Sequence, residues 1–253
     1  MIDTHAHYDD RRFDSDRHEI INAVKTGGVE KIINAGATIK SSRASLDLAD
    51  KYDFIYATVG VHPNAAEETP EDTIEILAGL LKNKKAVAIG EIGLDYYRNF
   101  SSRESQRYWF KKQMDFAADM KYPAVIHDRD AHGECLETAK QYSGRLSAGV
   151  FHCFSGSVEM AGELVKLGYM MSFGGVVTFA NAKTSIEVIK SIPPDYIMLE
   201  TDCPYLAPHP HRGKRNDSGY LPFIAQKIAE IKNIDVEKVI AVTTENAKRC
   251  FGV

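Results

Sequence analysis

Six residues of this chain carry donor atoms suited to a divalent ion and stand where short apolar runs end. They are His5 and His7 in Asp-Thr-His-Ala-His, Glu91 in Gly-Glu-Ile-Gly-Leu-Asp, His127, His152 and Asp202. Side chains alternate along a strand, so His5 and His7 face one way and Ala6 the other, which aims two imidazoles at one point. A mixed imidazole and carboxylate set suits Zn, Mn, Co or Fe, and accepts Mg when carboxylates and substrate oxygens complete the shell. His5 and His7 are expected to hold one ion and His127 and His152 a second. Glu91 has two oxygens with which to bridge them, and Asp202 completes the first position while contacting the attacking water. Two ions address both the nucleophile and the leaving oxygen of a displacement, and coordination brings the pKa of water toward neutrality. Asp202 is the candidate general base and, with Glu91, carries the catalytic assignment.

Further polar residues surround this set. Glu200, two positions before Asp202, is expected to face the same way and to order the water or hold a third ion. His62, in Gly-Val-His-Pro, points inward, to bind a phosphate oxygen, hydrogen-bond a ligand or take a further metal. Asp95, four residues beyond Glu91, reads as a ligand-orienting carboxylate or a loop cap. Basic residues fall in the same loops: Arg98 and Arg103, Arg129, then Arg212, Lys214 and Arg215. Of these, Arg129 and Arg215 are the expected phosphate contacts, and Tyr96, Tyr97, Phe154 and Tyr205 offer faces for base stacking.

Elements that repeat along the chain must bring these positions together. Apolar β-rich runs recur at Met1 to His7, Lys31 to Ala37, Ile55 to His62, Ala86 to Asp95, Ala124 to Asp128, Gly149 to Ser155, Tyr169 to Phe173 and Ile197 to Asp202. Helical stretches separate them, such as Glu104 to Met120, where Trp109, Phe116 and Met120 recur on one face after Ser101, which has capping-box spacing to Glu104. Eight β-α units predict an α/β fold of TIM (β/α)8 type, whose C-terminal strand ends converge on one mouth and would carry the metal site there. A doubly wound open sheet is the other architecture, but the Gly-rich phosphate turn usual after an early strand is missing. Pro204 to Pro222 reads as a long loop, followed by helices over Phe223 to Lys232 and Val236 to Arg249.

The 253 residues suit a single domain spanning 1–253, and no linker or repeat divides them. A net charge of −4 gives no global field for a polyanion, so any phosphate must be held by metals and local basic loops. No apolar run approaches the ~20 residues of a membrane span, and the first strand begins at the N-terminus, so a cytoplasmic protein without a membrane partner is expected. Cys135, Cys153, Cys203 and Cys250 lack Cys-x-x-Cys spacing and suit a reducing compartment. Alternation would turn Cys153 and Cys203 away from the metals.

Taken in order, the elements Asp3-Thr-His-Ala-His7, Gly60-Val-His-Pro63, Gly90-Glu-Ile-Gly-Leu-Asp-Tyr96, Ile126-His-Asp-Arg129, His152-Cys-Phe-Ser-Gly-Ser157 and Glu200-Thr-Asp-Cys-Pro-Tyr-Leu206, with Asn246 and Arg249, span nearly the whole chain. In these the chain resembles the TatD family of metal-dependent hydrolases, within the amidohydrolase barrel superfamily. The resemblance implies a metal-dependent TIM barrel with His5, His7, Glu91, His127, His152 and Asp202 as ligands and His62 and Glu200 lining the site. It also implies a deoxyribonuclease, often a 3′ to 5′ exonuclease on single strands, using two divalent ions. Mg or Mn would support activity, and Zn, Ni, Co or Fe would be carried by the isolated protein.

The expected partner is therefore DNA at single-stranded ends, with RNA as a second substrate and no obligate protein partner. A metal-dependent amide or ester hydrolase, such as one acting on D-aminoacyl-tRNA, needs the same activated water but little from Arg129 and Arg215. A non-catalytic, metal-stabilised scaffold predicts that Asp202→Asn leaves function intact.

Overall fold

Eight short strands pair in parallel in strict chain order, each joined to the next through helical segments. The computed structural model describes residues 1–253 except Asn99. The strands are β1 (Ile2–Ala6), β2 (Lys31–Ala35), β3 (Ile55–Val59), β4 (Ala86–Asp95), β5 (Ala124–Arg129), β6 (Gly149–Phe151), β7 (Met170–Phe173) and β8 (Ile197–Leu199). The helices are α1 (Arg17–Thr26), α2 (Ile39–Lys51), α3 (Thr73–Leu80), α4 (Arg103–Met120), α5 (His132–Tyr142), α6 (Val158–Lys166), α7 (Lys183–Ser191), α8 (Leu221–Lys232) and α9 (Val236–Phe251). The result is the nearly closed (β/α)8 barrel that the alternation predicts. No helix among the described residues is long and apolar enough to cross a membrane.

Closure between β1 and β8 is made just past the strand ends. Ala6 bridges to Cys203, the His7 amide donates to the Cys203 carbonyl at 2.8 Å, and the Asp202 amide donates to the His5 carbonyl at 2.9 Å. Asp3, fully buried, reinforces the seam by accepting from the Thr201 amide at 2.9 Å and from the Thr201 and Ser218 hydroxyls at 2.6 Å each. Burial pushes its carboxyl up to about 6 despite those bonds.

One apolar cluster takes a residue from nearly every strand, including Ile2, Ile33, Val125, Val150, Met170 and Met198, and packs on Ala247, Cys250 and Phe251 of α9. That layer with its helix fills the lower end of the barrel, leaving the C-terminal strand ends as the open face. The larger cluster lies between the strands and the helical ring.

Several boundaries differ from expectation. Strands β1, β3, β6 and β8 stop short of the apolar runs, so His7, His62, His152 and Asp202 lie just beyond their strands. The N-cap of α4 is Ser102, whose hydroxyl accepts from the Ser105 amide at 3.2 Å. Ser101 is buried instead, and its hydroxyl accepts from the Glu67 amide at 3.1 Å. The buried face of α4 runs through Trp109, Phe110, Met114 and Ala117, while Met120 is exposed at the helix end. Helix α8 begins at Leu221 with Pro222 in its first turn, where a missing N–H costs nothing.

Extra residues interrupt the ladders where polar side chains must turn inward. Between Ile89 and Ile92 of β4 there are three steps against two on β5, and between Asp3 and Ala6 of β1 three against two on β2. Bulges of this kind re-aim side chains, and these two contain Glu91 and His5. Gly93, with φ 144°, pairs with His127, and a Cβ there would stand 1.9 Å from the His127 carbonyl oxygen. Gly93→Ala is expected to destabilise the protein by about 3 kcal/mol, since it combines overpacking with a backbone conformation L-residues avoid. A urea-unfolding midpoint equal to wild type would show that the β4–β5 ladder gives way at no cost.

Candidate metal centre

The open face holds a cavity of about 560 Å³ whose lining includes His7, His62, Glu91, His127, His152 and Asp202. His5 sits beneath it, 1 % exposed and stacked on His152 with ring centroids 3.9 Å apart. The structure thus brings together all six residues expected to bind metal, from β1, β4, β5 and the turns after β1, β6 and β8.

Glu91 is the hub. Its Oε1 lies 2.7 Å from His127 Nδ1, 2.8 Å from His152 Nε2 and 3.3 Å from His62 Nε2. Its Oε2 lies 3.4 Å from His5 Nε2 and 3.8 Å from His7 Nε2. Asp202 Oδ1 is 3.4 Å from His7 Nε2. Donor atoms fall within 4.8 Å of one another in the groups His5, His7, Asp202 and Glu91, His127, His152. Two further groups share members with these: His62, Asp95, His127 and His5, His152, Glu200.

Ring nitrogens face each other at close range. His5 Nε2 and His7 Nε2 are 3.2 Å apart, and His127 Nδ1 and His152 Nε2 are 3.1 Å apart. Two nitrogens bound to one ion at roughly 2.0–2.1 Å, with tetrahedral or octahedral angles, are themselves ~2.9–3.4 Å apart. Each of these two pairs is therefore spaced as two ligands of one divalent ion are. Outer contacts orient the rings for this. His7 Nδ1 meets the Ala35 carbonyl at 3.2 Å, which can only accept, so the neutral ring presents an unprotonated Nε2 to the centre. His127 Nε2 faces Asp95 Oδ2 at 3.4 Å and turns Nδ1 inward.

His62 is set differently. Its Nδ1 accepts from the Asn64 amide at 3.0 Å, so the neutral ring carries its proton on Nε2, aimed at Glu91. That arrangement suits a hydrogen-bond donor more than a metal ligand.

The charges are strongly coupled. Burial opposes ionisation of Glu91, yet His152, His62, His5 and His127 hold its carboxyl well below the usual range. Burial likewise opposes charge on His7 and His127, but Asp202 with Glu91, and Asp95 with Glu91, hold these two rings up to about 9. A divalent cation held by these rings would displace those protons, so metal uptake at neutral pH would release them.

Asp95 does both things the sequence left open. It faces His127, and its Oδ1 accepts from the Tyr97 and Arg98 amides at 3.0 and 2.8 Å, capping the loop after β4. Arg98 and Arg129 are the two arginines that line the cavity. The guanidinium of Arg129 covers one face of Tyr97 at 4.3 Å.

Five expectations change. Glu200 does not line the cavity as Asp202 does, although both carboxylates turn toward His5, Glu200 grouping with His5 and His152 and Asp202 with His5 and His7; β8 ends at Leu199 and Asp202 adopts φ 53°, so the two reach the cluster by different paths. Glu200 is fully buried behind His152, 3.9 Å from its Nδ1, and accepts from the Cys153 amide at 2.7 Å and from the Ser172 hydroxyl. Burial pushes its carboxyl up to about 7. Tyr96 is buried away from the cavity, donating to Glu134 Oε2 at 2.9 Å with Arg103 over its ring. Phe154 is buried in the core against Phe151 and Phe173. Cys153 lies past β6 with φ 44°, so strand alternation does not govern it.

Arg215 is the fifth. Its guanidinium forks onto Asp16 at 2.8 and 2.6 Å, donates to the Arg12 carbonyl at 2.6 Å and lies over Phe13. It does not line the cavity, and it staples the loop after β1 to the loop after β8. Arg215→Ala is expected to lower the thermal midpoint slightly and to leave KM for a phosphate-bearing substrate within about two-fold, as for a removed surface ion pair. A ten-fold rise in KM at unchanged stability would restore a substrate role.

Sequence reasoning missed Asp9, Asp10, Phe100 and Leu206, which also line the cavity. A signal existed for Phe100, a large apolar residue within the polar loop Arg-Asn-Phe-Ser-Ser.

With this geometry in view, comparisons with known proteins agree with one another. The family model for TatD related DNase matches residues 2–252. The "Uncharacterized metal-dependent hydrolase YabD" of Bacillus subtilis (strain 168) is 41% identical over 253 residues, covering 100% of this chain and 99% of its own. The "3'-5' ssDNA/RNA exonuclease TatD" of Pectobacterium carotovorum subsp. carotovorum (strain PC1) is 34% identical over 259 residues, covering 99% of each. Among solved structures, YJJV, a TatD homolog from Escherichia coli K12, superposes with a TM-score of 0.94 at 29% identity, covering 100% of this chain and 98% of its own.

Proposed function

The chain belongs to the TatD family of metal-dependent hydrolases, and from that premise we propose that it is a 3′ to 5′ exonuclease acting on single-stranded DNA ends, with RNA as a second substrate. The observation that carries this reading is the convergence of four imidazoles and two carboxylates below a cavity whose wall presents Arg98 and Arg129.

His5, His7 and Asp202 would hold one divalent ion, His127 and His152 the other, with Glu91 between them. Bound there, such ions supply Lewis-acid polarisation of a phosphoryl oxygen and lower the pKa of water. The protein's own groups do the rest. Asp202, at the cavity surface and held ionised by His7, accepts the proton of the attacking water. His62 directs its Nε2 proton at Glu91 or at a non-bridging phosphate oxygen beside it. Asp95 fixes the His127 ring, and Glu200 backs His152 from below. Arg129, held by Tyr97, and Arg98 neutralise the phosphate next to the scissile one. Arg129→Ala should raise KM for a phosphodiester on the order of ten-fold, the usual size for a lost charge-assisted hydrogen bond.

The deciding experiment treats metal-stripped protein with 3′- and 5′-labelled single-stranded DNA, restoring Mg, Mn or Zn separately. A ladder that shortens from the 3′ end only when metal is present is expected. No cleavage with any metal would rule out the nuclease reading and point to small ester or amide substrates.

A further inference from the structure

Large apolar side chains are exposed at seven described positions, and four of them, Tyr97, Phe100, Tyr205 and Leu206, belong to loops of the cavity mouth. Scattered exposure is ordinary, but concentration around one opening is the pattern of a binding site. Phe100 is 68% exposed and follows β4, while Tyr205 is 42% exposed and follows β8. In an eight-stranded barrel ordered β1 to β8, strands four apart stand across the barrel from each other. The two rings therefore rise from opposite walls of one cavity.

Tyr205 is held rigidly for an exposed ring. The Arg12 guanidinium covers one face at 4.0 Å, and the phenol donates to Asp10 Oδ2 at 3.1 Å. Asp10 is itself tied to Arg12 by bonds of 3.1 and 3.2 Å. The ring meets His7 edge-on, with centroids 6.2 Å apart at 79°, and the Tyr205 amide donates to the Asp202 carbonyl at 2.9 Å. One aromatic face is thus occupied by the protein, and the ring is locked at the border of the metal-ligand cluster. A ring fixed before binding loses little entropy when a planar partner stacks on it.

We propose that Tyr205 is the platform on which the terminal base of a single strand of nucleic acid stacks, with Phe100 closing against it from the opposite wall. The inference rests on the nuclease reading above and adds to it the part of the substrate that is measured at the end. The charge distribution sets the orientation: Arg98 and Arg129 lie on the β4–β5 side, so the following phosphate is drawn there while the base lies on the β8 side. A cavity of about 560 Å³ is of the size that encloses a single small ligand, so one terminal nucleotide enters and a duplex does not. Stacking has no hydrogen-bond readout, so all four bases are accepted while an abasic end is not.

Two readouts test this. In the first, Mn-restored enzyme cleaves oligonucleotides that end in a normal nucleotide or in a tetrahydrofuran abasic residue. Wild type is expected to prefer the base-bearing end by about ten-fold or more, the scale of a lost base–aromatic stack. The ratio should fall toward one in Tyr205→Leu, fall partly in Phe100→Ala, and largely survive in Tyr205→Phe. In the second, the 3′-terminal base is 2-aminopurine and the metal-restored Asp202→Asn protein is used, so that fluorescence quenching, read at once after mixing, reports stacking before the slowed turnover removes the base. Quenching that disappears when Tyr205→Leu is added supports the platform even if neither end is ever cut, in which case the nuclease reading alone fails. Equal cleavage of both ends by wild type, quenching unchanged by Tyr205→Leu, or no quenching at all would each overturn the proposal.

Discussion

Replacing Asp202 with Asn is expected to leave the fold intact and to lower kcat on single-stranded DNA by about 10²–10⁴-fold, the usual contribution of a positioned proton acceptor. The fold should survive because what Asp202 does structurally is done by its backbone. Its amide donates to the His5 carbonyl, its carbonyl accepts from the Tyr205 amide, and its φ of 53° is a conformation that Asn adopts readily. The side chain is a different matter. Its carboxylate faces His7 at 3.4 Å and lines the cavity, and it has no other hydrogen-bond partner among the described residues. An amide of the same shape keeps one oxygen toward His7 but neither accepts a proton from water nor carries the charge. KM should therefore move little while kcat falls. Circular dichroism, metal content and steady-state kinetics on the variant check this together. A collapsed spectrum would assign Asp202 a structural role, and wild-type turnover would remove it from proton transfer.

Stripping the metal should have an effect of comparable size, on stability as well as on rate. An ion present at about 100-fold its Kd stabilises the folded state by ~2.7 kcal/mol, and a protein of this size moves by roughly 2–4 °C per kcal/mol, so each ion lost should lower Tm by roughly 5–10 °C. Activity should vanish and return on adding metal back. Glu91→Gln sharpens the test, because Glu91 addresses both halves of the cluster, through Oε1 to His127 and His152 and through Oε2 to His5 and His7. The substitution removes the one charge shared by every ring and places an NH2 group against one half. Calorimetry should then show a variant whose Tm no longer responds to a chelator and whose metal content is reduced at both positions. A variant that still loses stability on chelation, as wild type does, would show that Glu91 does not join the two halves.

Where sequence and structure part company, a local rule has been carried past the end of its element. His5 and His7 converge as period-two alternation predicts, although a bulge intervenes and His7 lies one residue beyond β1. The same rule applied to Glu200 and Asp202 gives only part of the outcome, because the chain has left β8 by Glu200 and turns through a left-handed residue at Asp202, so both carboxylates reach His5 but only Asp202 lines the cavity. Arg215 belongs to a basic loop that reads as a phosphate contact, but a carboxylate from a distant part of the chain, Asp16, has claimed it. Tyr96 and Tyr205 are indistinguishable as letters in a loop. One is buried against Glu134 and Arg103, while the other is braced by Arg12 and left with its remaining face at the cavity.

The order of strands and the identity of the donor atoms are properties of the sequence by itself. Hydrophobic periodicity sets the alternation of elements, and a mixed set of imidazoles and carboxylates suits a hard or borderline cation, so the barrel and its candidate ligands were legible from the sequence. The tertiary structure alone decided how those atoms face one another. Bulges turned Glu91 and His5 inward, a carbonyl and a carboxylate chose the free nitrogen of His7 and of His127, and long-range ion pairs sorted the loop arginines into struts and cavity walls. The physical reason is that periodicity is enforced by neighbours along the chain. Ring orientation, charge pairing and exposure are instead set by groups tens or hundreds of residues away, whose approach becomes fixed only when β1 meets the turn after β8 and the barrel closes.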